Sequence, residues 1–80
     1  MDKTEILNEL TNIWRRELDE EDIVLGPETT AKDVEGWDSL TNIQLMVATE
    51  KKFKIRFSAS EIMNFQKVDD LVSAVQQKIV

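Results

Sequence analysis

Apolar residues recur every three or four positions in three segments of this chain of 80 residues, and that spacing is typical of amphipathic helices that pack against one another. The segments predict a first helix over Lys3 to Leu18, a second over Ser39 to Phe53, and a last one from Val68 to about Ile79. The second helix places these residues on one side: Leu40, Ile43, Met46, Val47 and Phe53. A chain of this length forms a single core. We therefore expect an all-α fold, a small four-helix bundle of three longer helices plus one short helix, formed by one domain over residues 1–80.

A long loop is predicted between the first and second helices. The periodicity stops between Asp19 and Asp38, and the whole chain has only two glycines and one proline, so few turns are expected. Five apolar residues are predicted to anchor this loop on the core: Ile23, Val24, Leu25, Val34 and Trp37. Thr30 followed by Asp33 predicts one helical turn inside the loop. Ser58 or Ser60 is predicted to cap the short third helix.

The composition excludes several classes of function. Without cysteine or histidine, the chain has no disulfide framework, no Cys/His zinc site and no catalytic thiol or imidazole. A net charge of −6 disfavours nucleic acid and anionic membrane surfaces as partners. No segment approaches the roughly 18 apolar residues of a membrane span, and the first residues do not form a secretory signal. We therefore expect a cytoplasmic monomer that binds no nucleic acid and does not insert into membranes.

One short motif lies where the acidic loop meets the second helix, Glu35-Gly36-Trp37-Asp38-Ser39-Leu40. Taken alone, Asp38 and Ser39 before an apolar run are an ordinary helix start with a capping residue. Trp37 taken alone is interpreted as an anchor of the loop. By itself the motif therefore indicates local structure.

In its full context the motif resembles the attachment motif of the acyl carrier protein family. A glycine precedes Asp38-Ser39-Leu40, and the tripeptide opens the second helix of a small acidic chain. The similarity continues through Ile43, Leu45, Ala48, Glu50, Phe53, Ile55, Ile62, Val68 and the last helix. The resemblance implies that a magnesium-dependent phosphopantetheinyl transferase moves 4′-phosphopantetheine from coenzyme A onto the hydroxyl of Ser39. The thiol of this arm then holds an acyl or aminoacyl group as a thioester.

The resemblance also implies roles for the neighbours of Ser39 and a set of partners. Asp38 caps the helix and contributes to recognition by the transferase, whereas Leu40 is either a core residue or an exposed contact beside the arm. A phosphodiester on Ser39 would lie where unpaired N–H groups and the helix dipole favour an anion. The partners would be the transferase, an enzyme that loads the acyl or aminoacyl group, and downstream acyltransferases or synthases of fatty acid or secondary-metabolite biosynthesis.

Two departures from fatty-acid carriers concern the pathway and the cargo. Trp37 replaces a small or aliphatic residue, and neutral Thr41, Asn42 and Gln44 follow where acids are usual. The acids lie instead in residues 17–38, so we expect a dedicated set of partners. Thr49 stands where leucine is frequent, and an unpaired hydroxyl there would disfavour a long buried alkyl chain. The alternative is that Thr49 bonds back to the carbonyl of Leu45.

Two other classes of function compete with a stand-alone carrier. The alternative is an unmodified helical protein-interaction module, in which Ser39 only begins a helix. An enzyme is disfavoured, because the chain has no histidine and is too small to form a deep cleft around perturbed side chains. We accordingly expect no catalytic residue and no metal ligand. Intact mass after co-expression with a broad-specificity phosphopantetheinyl transferase separates the carrier from the interaction module.

Overall fold

The computed structural model describes residues 1–79, and all of the regular structure in them is helical. Helix α1 spans Lys3–Glu17, α2 spans Ser39–Phe53, α3 spans Ala59–Asn64 and α4 spans Val68–Lys78, with one 3₁₀ turn at Ala31–Asp33. The predicted four-helix fold is confirmed, with α2 at its predicted bounds. The first helix ends one residue before the predicted Leu18, which is its C-cap.

Helices α1 and α3 begin where a polar side chain accepts an N–H group of the first turn. Asp2 and Ser58 cap α1 and α3 by accepting from the N–H of the third helical residue, which identifies Ser58 rather than Ser60 as the cap of α3. At α4 the carboxylate of Asp70 accepts from the N–H groups of Gln66 and Lys67 at 2.9 and 3.2 Å. These hydrogen bonds mark the helix starts with polar residues that can be recognised in the sequence.

Helix α1 packs against both α2 and α4 and supplies the centre of the core. The buried apolar residues of the helices are Ile6, Leu10, Ile13, Trp14, Leu45, Met46, Val68, Leu71, Val72 and Val75. Leu25 and Val34 of the loop and Phe57 before α3 complete this core. Burial of these side chains supplies the main driving force for folding.

The side of α2 that faces the core differs in part from the predicted one. Met46 and Phe53 contact the core as predicted, whereas Leu40 does not. Leu45, Met46 and Thr49 are buried, whereas Ile43 is 65% exposed and Val47 is 43% exposed. Both sets have helical spacing, so apolar periodicity alone does not distinguish them. Thr49 belongs to the core because its hydroxyl donates to the carbonyl oxygen of Leu45 at 2.8 Å, which satisfies a polar group inside the bundle.

The long loop is held against the helices by apolar side chains and by hydrogen bonds to the backbone. Of the five predicted anchors, four contact the core, but Val24 is 75% exposed. It lies in an irregular segment between Ile23 and Leu25, where successive side chains point to opposite sides. The loop carbonyls of Thr29 and Pro27 accept from the N–H groups that begin α4, at 2.8 and 2.9 Å. The loop backbone therefore supplies the hydrogen-bond acceptors that the first N–H groups of α4 need.

The single turn inside the loop also forms as predicted. The 3₁₀ turn follows Thr30, whose N–H donates to the carboxylate of Asp33 at 2.9 Å. Nearby, the Nε of Arg15 in α1 donates to the carbonyl of Ile23 at 2.7 Å. These contacts give a long connection a defined path to the start of α2.

Candidate functional site at the start of α2

Asp38 and Thr41 fix the first residue of α2 by reciprocal hydrogen bonds. The carboxylate of Asp38 accepts from the N–H groups of Leu40 and Thr41 at 2.9 and 3.0 Å. In return the N–H of Asp38 donates to the Thr41 hydroxyl oxygen at 2.8 Å. This capping box makes Ser39 the first residue of the helix. The N–H of Thr41 is the main cause that holds the pKa of Asp38 below its ordinary value of 3.8, so the carboxylate is ionised at neutral pH.

Gly36 gives the chain the turn that precedes this cap. Its φ of +89° lies in the region that residues with a Cβ disfavour. The carbonyl of Gly36 accepts from the hydroxyl of Thr41 at 2.7 Å, so the turn and the first turn of α2 are bonded to each other. The positive φ at this position therefore explains why the motif has a glycine there.

Trp37 anchors the loop immediately before Ser39. Its Nε1–H donates to the side-chain oxygen of Asn42 at 2.9 Å. Its ring meets the buried ring of Trp14 edge to face, with centroids 5.2 Å apart and planes at 83°. Trp37 thus joins the loop to both α1 and α2, as the anchor interpretation predicts.

Ser39 and Leu40 both face solvent. Leu40 is 79% exposed, so the interpretation of Leu40 as a core residue is wrong. Two of the N–H groups expected to face an anion, those of Leu40 and Thr41, are already taken by Asp38. Among residues 1–79 the N–H of Ser39 makes no hydrogen bond. One backbone donor and the positive end of the helix therefore remain for an anion on Ser39.

A cleft of about 250 Å³ opens beside Ser39, between α2 and the segment that contains α3 and α4. Its walls are mostly apolar and include Trp37, Met46, Ile62, Phe65, Val68 and Leu71. By comparison, a cavity of about 150 Å³ accommodates benzene. The cleft is therefore large enough for a small apolar group next to the hydroxyl of Ser39.

Sequence reasoning placed Asp38 and Ser39 at the start of α2 but missed what Thr41 and Asn42 do. It treated both residues only as neutral replacements for acids, whereas the structure places them as hydrogen-bond partners of Asp38 and Trp37. The spacing Asp38-x-x-Thr41 was a readable signal for a cap. The Trp37–Asn42 bond had no such signal, because it depends on the orientation of the indole ring.

Residues 1–79 contain no group of three or more acidic side chains placed to hold a metal ion. In the same part of the chain, every helix is too short or too polar to cross a membrane.

Comparison with known proteins identifies relatives of the whole bundle. Residues 8–75 match the family described as "Phosphopantetheine attachment site". The fold matches the solution structure of a holo acyl carrier protein from Geobacter metallireducens with a TM-score of 0.87 and 39% sequence identity, over 92% of this chain and 85% of that one. No curated protein gives a significant sequence match.

Proposed function

The chain belongs to the phosphopantetheine-attachment family, and from this membership we propose that Ser39 is the residue that carries the arm. As a member it is a carrier protein, and its prosthetic group is 4′-phosphopantetheine. When bound, that group supplies a terminal thiol that holds an acyl or aminoacyl group as a thioester. A chain without cysteine thereby takes part in thioester chemistry.

The observation that carries this assignment is the position of Ser39. It is an exposed serine at the first position of α2, next to an ionised carboxylate and a cleft that can receive a small apolar group. The positive end of α2 and the unpaired N–H of Ser39 favour a phosphodiester there. Family membership and local geometry thus support the same residue.

Asp38 is proposed to contribute to this function in two ways. It holds the first turn of α2 through its bonds to the N–H groups of Leu40 and Thr41, and its carboxylate is fixed by these bonds on the residue that precedes Ser39. Two negative groups, the carboxylate and the incoming phosphate, repel each other unless a cation lies between them. This favours a transferase that brings magnesium. The chain has no histidine, so the transferase must also supply the base that takes the proton of Ser39.

The cleft changes the expectation about the cargo. An unpaired hydroxyl on Thr49 would disfavour a buried alkyl chain, but that hydroxyl donates to the carbonyl oxygen of Leu45. If about 150 Å³ holds the six carbons of benzene, the 250 Å³ cleft holds on the order of ten. We therefore propose an acyl group of short to medium length, with part of its chain in the cleft.

We also propose the partners and the cellular setting. The chain forms a single domain over residues 1–80 and acts as a cytoplasmic monomer that presents its cargo to a loading enzyme and to acyltransferases or synthases. The chain itself is proposed to catalyse no step. Leu40, exposed next to Ser39, is proposed to contact the arm or the enzyme that uses it.

Intact mass spectrometry tests the assignment against the interaction-module alternative. The chain is co-expressed with a broad-specificity phosphopantetheinyl transferase, and the wild type is expected to gain the mass of one arm. Ser39→Ala should gain none, while Ser60→Ala, an exposed serine in the first turn of α3, should load like the wild type. An unmodified wild type would favour the interaction module, and a loaded Ser39→Ala would assign the arm to another residue.

A further inference from the structure

An exposed line of apolar side chains runs along α2 from the residue after Ser39. Leu40, Ile43 and Val47 are spaced by three and four residues, and all three are exposed. Lys51 follows at the next such position, so the four side chains share one side of the helix over roughly 16 Å, at 1.5 Å per residue. We call Leu40, Ile43 and Val47 the α2 stripe. An apolar line of this kind on a small acidic chain is a candidate contact surface.

A group of positive charges continues the α2 stripe. Lys51, Lys54 and Arg56 line one open depression together with Val47 and Ile55. Within residues 1–79 none of these three bases lies within 4.0 Å of a carboxylate. We call these three residues the basic end.

The neighbouring charged residues Lys52 and Glu50 differ from the basic end, because each has a partner. Lys52 pairs with Glu9 of α1 at 3.0 Å. Glu50, the acid in the same depression, accepts from the N–H of Phe57 at 2.8 Å. The basic end is therefore a local excess of positive charge on a chain whose net charge is −6.

We propose that the α2 stripe and the basic end form one docking surface for a protein partner that presents an apolar ridge ending in an acidic patch. This rests on the proposed function, because the stripe begins beside Ser39. Acids precede the stripe at Glu35 and Asp38 and bases end it, so the surface is bipolar. A partner of matching charge would lie in one orientation along α2, with its active site towards the arm.

The charges favour a protein over other occupants. Nucleic acid and anionic lipid would meet three bases but also the acids of the neighbouring loop, which repel them. A folded partner can place acids against the basic end alone. Its apolar ridge would cover the stripe, which a polyanion leaves in water.

Two synthetic amphipathic helical peptides test the proposal with the full chain. Both have the same leucine face, and one is flanked by glutamates while the other is flanked by lysines. Binding is followed by amide chemical shifts in an NMR titration. We expect the glutamate peptide to bind at least about tenfold more tightly and to shift the amides of Val47, Lys51 and Lys54.

Charge reversal supplies the matched control. Lys54→Glu and Lys32→Glu change the net charge equally, and both residues are exposed. Lys54→Glu is expected to weaken the glutamate peptide about two- to fivefold, and Lys32→Glu to leave it unchanged. Amide spectra establish that each variant is folded, and Lys54→Gln should give an intermediate loss.

Several results would overturn the proposal. Equal affinity for the two peptides, tighter binding of the lysine peptide, no binding of either, or shifts located away from α2 would each do so. Stronger binding to phosphatidylserine vesicles than to phosphatidylcholine vesicles, lost in Lys54→Glu, would assign the surface to lipid. The titration uses the unloaded chain, so its failure is separate from a failure of Ser39 to gain an arm.

Discussion

The hydrogen bond between Trp37 and Asn42 can be measured by a double-mutant cycle. Trp37→Phe keeps an aromatic ring and removes the indole N–H, and Asn42→Ala removes the oxygen that accepts it at 2.9 Å. A partly buried bond of this kind contributes about 0.5–1.5 kcal/mol, so the two single changes should be non-additive by that amount. Urea unfolding followed by far-UV circular dichroism gives the four free energies of unfolding without relying on tryptophan fluorescence.

Trp37→Ala extends the same test to the contact between the two rings. It removes both the bond to Asn42 and the edge-to-face pair with Trp14, and that pair adds about 0.5–1.5 kcal/mol beyond burial. With part of the ring's own burial, the expected cost is about 2–3 kcal/mol, or a melting temperature lower by roughly 10–20 °C for a domain of this size. Additivity of Trp37→Phe and Asn42→Ala within about 0.3 kcal/mol would refute the role of Trp37 as a bonded anchor.

Three further predictions concern the end of α1, the cap of α3 and the cleft. Asp19→Gly should raise the free energy of unfolding by about 0.5–1 kcal/mol, because Asp19 has a φ of +54° and an acid there opposes the dipole of α1; an unchanged urea midpoint would contradict this. The hydrogen bond from the N–H of Ser58 is the main cause that lowers the pKa of Glu61 below its ordinary value of 4.5. The ionised Glu61 carboxylate therefore stabilises the fold above pH 4.5, and this stabilisation is lost as the pH falls through the lowered pKa. Glu61→Gln should therefore flatten the fall in melting temperature in acid, and identical acid profiles would argue against it. An octanoyl cargo should raise the melting temperature above that of an acetyl cargo because it fills the cleft, whereas equal midpoints would place the cargo in solvent.

The helix bounds could be predicted because the signals are local. Asp38 and Ser58 each stand one residue before a helix, and apolar spacing marks the bodies of α1 and α4. Caps and spacing depend on residues within one turn of each other, so a single sequence contains them. The same locality located Asp38 and Ser39 at the start of α2.

The contacts that could not be predicted depend on how the elements pack. Ile43 is exposed although it was expected on the core side of α2, because two sides of this helix have similar spacing. For Thr49 the sequence left open whether the hydroxyl is unpaired or bonded to Leu45, and only the packed structure shows the bond. The bond between Trp37 and Asn42 requires that the loop and α2 meet at one angle. Such contacts follow from tertiary packing, which propensity does not specify.

The claim that Ser39 carries the arm is tested most directly by locating the modification within the chain. Trypsin cleaves after Lys32 and Lys51, and the peptide between them contains one serine, Ser39, and two threonines, Thr41 and Thr49. After co-expression with a broad-specificity phosphopantetheinyl transferase, fragment-ion mass spectrometry of this peptide should place one phosphopantetheine on Ser39. An arm on either threonine or on another peptide, or a peptide that remains unmodified while a known carrier is loaded in the same cells, would contradict the account.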